Sequence, residues 1–119
     1  MDQKEPKNLI LELTLDFAVS VILYTEELEA KRKFVLANQL LKSGTSIGAN
    51  VREAQNTESK ADFIHKFKIA AKEVEETEYW LLLCQKTPSY PDPSQLQKSL
   101  TSIKKIISKI IISSKSKSK

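Results

Sequence analysis

The sequence is poor in the residues that staple, ligate or interrupt a chain. A single cysteine, Cys84, excludes an internal disulfide and any zinc site built on several thiolates. A single histidine, His65, leaves no group of imidazoles to share a metal. Two glycines and four prolines, three of them between Pro88 and Pro93, are too few for the turns of a β sandwich or barrel. The opening Met1-Asp2-Gln3-Lys4-Glu5-Pro6 is polar and mixed in charge, unlike the basic start of a secretory leader. The apolar stretch from Leu9 to Tyr24 carries Glu12 and Asp16, whose cost in lipid excludes a spanning helix. The expectation is a cytoplasmic protein with no membrane segment, no metal and no cofactor.

What is present is helical periodicity. At 119 residues the chain fits one domain, expected over 1–112. The first helix is expected over 8–29, with Asn8 as its cap and Ile10, Leu13, Phe17, Val21, Tyr24 and Leu28 on one face. A second apolar set, Leu11, Leu15, Ala18 and Ile22, leaves only a narrow polar strip around Glu12, Asp16 and Ser20. A helix apolar on more than half its circumference is buried on two sides, and in so small a domain a second subunit covers the surplus. A homo-oligomer is the expectation.

After a turn at Lys31-Arg32-Lys33, the second helix is expected over 33–55. Leu36, Leu40, Ser43, Ile47, Val51 and Ala54 step by 4, 3, 4, 4 and 3. That register runs unbroken through Ser43-Gly44-Thr45-Ser46-Ile47-Gly48, which favours a continuous helix over the loop that propensity alone suggests. Gly44 and Gly48 are one turn apart, where small residues let two backbones approach. The third helix is expected over 60–86, opened by a Ser59/Asp62 capping box and carrying Phe63, Phe67, Ala70, Val74, Thr77 and Leu81. A rigid Pro88–Pro93 turn follows, and Asp92-Pro93 signals a fourth helix over 93–112. Its apolar residues are Leu96, Leu100, Ile103, Ile107 and Ile110. Residues 113–119, with nothing apolar to bury, read as a basic disordered tail. Short connections between helices of roughly 30 Å favour an all-α, antiparallel up-down-up-down four-helix bundle.

The charge is unevenly placed. Residues 1–92 carry 12 basic and 15 acidic side chains, net −3, whereas residues 93–119 carry seven lysines and no acid, net +7. Lys98, Lys104, Lys105, Lys109, Lys115, Lys117 and Lys119 are therefore the candidate nucleic-acid contacts, because spaced cations neutralise phosphates and release counterions. Lys31, Arg32, Lys33 and Arg52 are weaker additions. No aromatic residue lies among the lysines, which disfavours base-specific reading of single strands.

No cluster dictates catalysis, and the expectation is a protein that is not an enzyme. His65 has no ligand companions. Cys84 ends the apolar run Leu81-Leu82-Leu83 and reads as a core residue. Glu73, Glu75, Glu76 and Glu78 lack the Glu-x-x-His pattern of bundle di-iron sites, so they read as a solvated acidic face or as partners of the lysine-rich helix. Ser46, Asn50 and Glu53 share one side of the second helix without a histidine base, and read as a structural polar motif that fixes packing.

Two segments carry a resemblance. The run Leu40-Leu41-Lys42-Ser43-Gly44-Thr45-Ser46-Ile47-Gly48-Ala49-Asn50-Val51-Arg52-Glu53-Ala54 and the stretch from Ala61-Asp62-Phe63 through Ile69-Ala70-Ala71-Lys72-Glu73 to Glu76-Thr77-Glu78-Tyr79-Trp80-Leu81 are its two halves. Both resemble the bacterial four-helix-bundle proteins encoded within intervening sequences of 23S ribosomal RNA genes. The resemblance implies a ring-like homopentamer. It also implies kinship with the accessory variability determinant proteins of diversity-generating retroelements, which bind nucleic acid and a reverse transcriptase. Many members carry Arg in place of Lys42 and often Pro in place of Gly48, so a contact needing a forked guanidinium at position 42 is not implied here. The function expected is a non-enzymatic oligomer binding RNA or DNA through phosphate contacts; the alternative is a protein-interaction scaffold serving a reverse transcriptase or another partner.

Overall fold

The computed structural model describes residues 6–116, which form four helices: α1 (Pro6–Ala30), α2 (Phe34–Ala54), α3 (Lys60–Lys86) and α4 (Ser94–Ser116). They pack cyclically, α1 on α2, α2 on α3, α3 on α4 and α4 on α1, so the described chain is an antiparallel bundle with one central core. Each helix supplies the stripe its periodicity predicts: Ile10, Phe17, Val21 and Leu28 from α1, and Leu40, Ile47 and Val51 from α2. Phe67, Val74 and Leu81 come from α3, with Leu100, Ile103 and Ile107 from α4.

Local chemistry sets the boundaries. Pro6 opens α1 two residues before the expected start, since its fixed φ and missing N–H suit a first turn. Asn8 therefore lies inside the helix and is not its cap. The α1–α2 connection is a Schellman turn: the Lys33 N–H donates to the Leu28 carbonyl at 2.8 Å and the Arg32 N–H to Glu29 at 2.8 Å. This places Arg32 at φ 64°, where glycine is the usual occupant. Ser59 caps α3 by accepting the Asp62 N–H at 3.0 Å. Asp92 accepts the Ser94 N–H at 3.0 Å, and α4 begins there, one residue later than expected. At its far end α4 runs on to Ser116, so residues 113–116 are helical and not disordered tail. No breaker interrupts them, and the Ser116 hydroxyl satisfies the Ser113 carbonyl at 3.0 Å. Residues 117–119, with Lys117 and Lys119, lie outside the described residues.

Helix α2 is continuous through Gly44 and Gly48, and the reason both are glycine is α1. A Cβ on Gly44 would sit 2.9 Å from a Val21 methyl, and one on Gly48 3.3 Å from the Thr14 backbone and side chain. The α2–α3 interface is pinned by the buried hydroxyls of Ser43 and Thr77, which hydrogen-bond at 2.9 Å. Buried polar groups elsewhere are also satisfied: Thr14 donates to the Ile10 carbonyl at 2.7 Å, and Tyr24 donates across the bundle to Pro91 at 2.6 Å.

Gly44→Ala sets overpacking of about 1–3 kcal/mol against a helix-propensity gain of about 1 kcal/mol. The expected net loss is about 1 kcal/mol, read as a fall of several degrees in Tm. Gly48→Ala, with a looser contact, is expected to change Tm much less. Equal effects at the two positions would refute this account of the α1–α2 contact.

Candidate nucleic-acid interface

Helix α4 is amphipathic in charge as well as in apolarity. Its core stripe turns Lys98, Lys105 and Lys109 to the opposite side, all three exposed. They are seven and four residues apart, hence about 10 Å and about 6 Å along the axis. None of the three makes an ion pair among the described residues. With no acid from residue 93 onward, this face is uniformly positive.

The other predicted lysines are placed differently. Lys104 points along the α3–α4 seam and is held by α3, its Nζ 3.1 Å from Glu78 Oε1 and 3.2 Å from Glu75 Oε2. Those hydrogen bonds, Glu78's first, hold its ammonium above the usual lysine range. Its charge is therefore committed inside the subunit. Lys115, in the last turn, is exposed and close to Lys68 of α3. The Lys115 charge is the main reason the Lys68 ammonium is pushed below its ordinary value. Lys68 did not stand out in the sequence, where it is one cation among the mixed charges of α3. Of the weaker additions, Arg32 lies over the Phe34 ring at 6.0 Å and Lys33 over the Tyr90 ring at 5.2 Å.

Ser46, Asn50 and Glu53 do not form a network of their own. The Ser46 hydroxyl donates to the Lys42 carbonyl at 2.7 Å, and Asn50 Nδ2 to the Ser46 carbonyl at 2.9 Å. Glu53 reaches across to α3 and accepts from Lys66 Nζ at 2.7 Å. The buried polar contact between α2 and α3 is made one turn earlier, by Ser43 with Thr77.

The acidic side of α3 divides likewise. Glu75 and Glu78 face Lys104, whereas Glu73 is half-buried toward α2. Burial raises the Glu73 carboxyl above the ordinary range, Glu76 adds to the rise and Lys42 opposes it. Trp80 Nε1 donates to Glu76 Oε2 at 3.3 Å and meets the exposed Tyr79 ring edge-on at 5.4 Å. Cys84 is buried beside Tyr24, and burial pushes its thiol up, away from nucleophile chemistry. His65 is exposed. Among the described residues no group of three or more His, Cys, Asp or Glu side chains is placed to hold a metal ion, and no helix is long and apolar enough to cross a membrane.

The second apolar set of α1 divides: Leu11 and Ala18 are half-buried, Leu11 against the core, whereas Leu15 and Ile22 stay exposed. Leu15 is 54% exposed and Leu23 60%, with Val19 and Ile22 beside them and Phe34 and Val35 exposed at the start of α2. Between the two helices runs a groove of about 210 Å³, lined by Leu11, Leu15, Ala18, Gly48 and Ala49 among others, with Arg52 in its wall.

The chain is similar to known proteins both in sequence and in structure. The family model described as 23S rRNA-intervening sequence protein matches residues 7–112. Among solved structures, a protein of unknown function from the S23 ribosomal protein family of Bacteroides thetaiotaomicron is similar, at 41% identity and a TM-score of 0.84. That similarity covers 90% of this chain and 98% of the other. No curated protein matches the chain.

The placement of Glu73 has a consequence for stability. Between the ordinary carboxylate range and its raised value, the folded chain keeps a proton that the unfolded chain has released. Stability therefore falls as pH rises through that window, and the deficit is complete above it. Glu73→Gln is expected to raise Tm at neutral pH and to lose that advantage below the carboxylate range. Thermal unfolding at the two pH values decides it; a lower Tm for the variant at neutral pH would mean that attraction to Lys42 outweighs burial.

Proposed function

The chain belongs to the 23S rRNA-intervening sequence protein family, and we propose that it is a non-enzymatic, self-associating bundle of the cytoplasm that binds RNA or DNA through its phosphates. The observation that carries this reading is the open lysine face of α4. Lys98, Lys105 and Lys109 stand in solvent with no carboxylate partner among the described residues, while Lys104, beside them in sequence, is neutralised by α3. Cations left unpaired along one helix suit a polyanion whose charges are also spaced along an axis. Contacts of this kind read charge and shape, not base sequence.

Self-association is supported by the uncovered side of α1. Leu15, Val19, Ile22 and Leu23 are exposed together on the outer side of α1, and Phe34 and Val35, the latter 79% exposed, are uncovered at the start of α2. Exposed apolar residues grouped in this way mark an association surface in a soluble protein. A second copy is the proposed cover, in a ring-like homopentamer, and each added copy brings another lysine face into one field.

A second reading has its own observation. Tyr79 and Leu82 are exposed on α3 beside Glu76 and the half-buried Trp80, an acidic and aromatic surface suited to a basic protein partner such as a reverse transcriptase. Recovery of such a partner that survives nuclease treatment and is lost on Tyr79→Ala would favour it over nucleic acid.

For the first reading, a short blunt RNA duplex is expected to bind at low salt and to be released steeply as salt rises. Replacing Lys98, Lys105 and Lys109 by Gln is expected to flatten the plot of log affinity against log salt by about three. Binding indifferent to salt, or to the triple substitution, would sink it. Native mass measurement is expected to give multiples of the 13.5 kDa chain, with Leu15→Glu returning the monomer. A wild-type monomer at micromolar concentration would end the self-association proposal.

A further inference from the structure

The α3–α4 seam holds an ion pair at its middle and a pair of like charges nearer its end. Its antiparallel register is set by Gln97 Nε2 donating to Gln85 Oε1 at 3.1 Å and by Lys104 on Glu78 at 3.1 Å. Seven residues before Glu75, two turns along the same side of α3, stands Lys68. Eleven residues after Lys104, three turns along the same side of α4, stands Lys115. The Gln85–Gln97 and Glu78–Lys104 register sets position 68 of α3 level with position 114 of α4, so Lys68 and Lys115 come alongside each other as a pair of cations. Lys72, one turn from Lys68 and exposed, extends the cluster on the α3 side.

Among the described residues no carboxylate of the seam is left to neutralise them. Glu75 and Glu78 are taken by Lys104, and Glu53 of α2 by Lys66. Asp62 lies six residues before Lys68, on the side of α3 away from α4, and α4 itself has no acid. Two ammonium groups held together without a carboxylate between them suit one doubly coordinated anion, because an oxyanion bridging them removes their mutual repulsion.

We infer that Lys68 and Lys115 form a phosphate-binding pair at the end of the α3–α4 seam. Its ligand is a backbone phosphate of the nucleic acid proposed above, and in that respect the inference rests on the preceding reading. The site adds a contact from α3 to the lysine face of α4 and fixes which end of the bundle the nucleic acid crosses. The lowered Lys68 ammonium agrees with this crowding.

The test uses the full chain and a substitution that restores the missing acid. Lys68→Glu gives Lys115 a carboxylate partner on α3, as Lys104 already has, so the variant is expected to keep or raise its Tm. It is also expected to flatten the salt dependence of RNA-duplex binding by about two, both lysines being lost to phosphate. Lys86→Glu makes the same change in net charge at the opposite end of the bundle, on an exposed residue, and is expected to leave the slope near wild type. Lys68→Gln, which removes one cation without adding an acid, is expected to flatten the slope by about one and serves if the glutamate variant unfolds. The same proteins titrated with tripolyphosphate separate the sources of the anion. Duplex binding as steep in Lys68→Glu as in wild type, or an equal loss in Lys86→Glu, overturns the pair while leaving the α4 face standing. Tripolyphosphate binding that depends on Lys68, with no duplex binding, keeps the pair and overturns the nucleic-acid reading. Binding of neither probe by the wild type overturns both.

Discussion

Two glycines bring α1 and α2 together more closely than a pair of ordinary side chains permits. With a Val21 methyl 2.9 Å and the Thr14 backbone 3.3 Å from where Cβ atoms would stand, α2 lies against α1 along a narrow line. A helix held that close cannot also wrap over the flank of its neighbour. One apolar stripe of α1 enters the core, and the other, through Leu15 and Ile22, is left in solvent. The surplus apolar surface and the tight contact are therefore two sides of one constraint. The proposed self-association follows from it, since among the described residues no element covers that strip.

A second constraint is rotational. Burying Leu96, Leu100, Ile103, Ile107 and Ile110 fixes the angle of α4 about its own axis. Once that angle is set, every lysine on α4 has its place. Lys104 faces the glutamates of α3, Lys115 arrives beside Lys68, and Lys98, Lys105 and Lys109 face water. A surface ion pair of the Lys104 kind adds little stability, about 0–1 kcal/mol. Its larger effect is to remove one cation from the field and leave the remainder on a defined face.

Much of the fold was legible in the residue pattern. The 3/4 periodicity placed all four helices, and Ser59 and Asp92 marked two of their starts through side-chain oxygens that meet backbone N–H groups. Register correctly overruled propensity at Ser43–Gly48, because a buried stripe outweighs the intrinsic cost of two glycines. The misses were at ends and among polar residues. Asn8 looked like a cap because its type suits the role, but Pro6 had already begun the helix. Ser113 to Ser116 looked disordered because they bury little, yet a helix under way needs only the next hydrogen bond.

The candidate site was only half readable. Counting charge by segment found the lysines of α4, but counting cannot tell a committed cation from a free one, which depends on the residue opposite. Ser46, Asn50 and Glu53 share a helix side, yet hydroxyl and amide groups bond to whatever carbonyl is nearest, and for Ser46 and Asn50 that was their own helix. The sequence by itself determined four amphipathic helices, their order, an acid-free fourth helix and an apolar surplus on the first, because these follow from periodicity and composition along one chain. Only the tertiary structure decided that Lys104 is neutralised, that Lys68 meets Lys115 and that Ser43 meets Thr77. Each of those depends on the relative register and rotation of two helices, which close packing of side chains sets and no single helix contains.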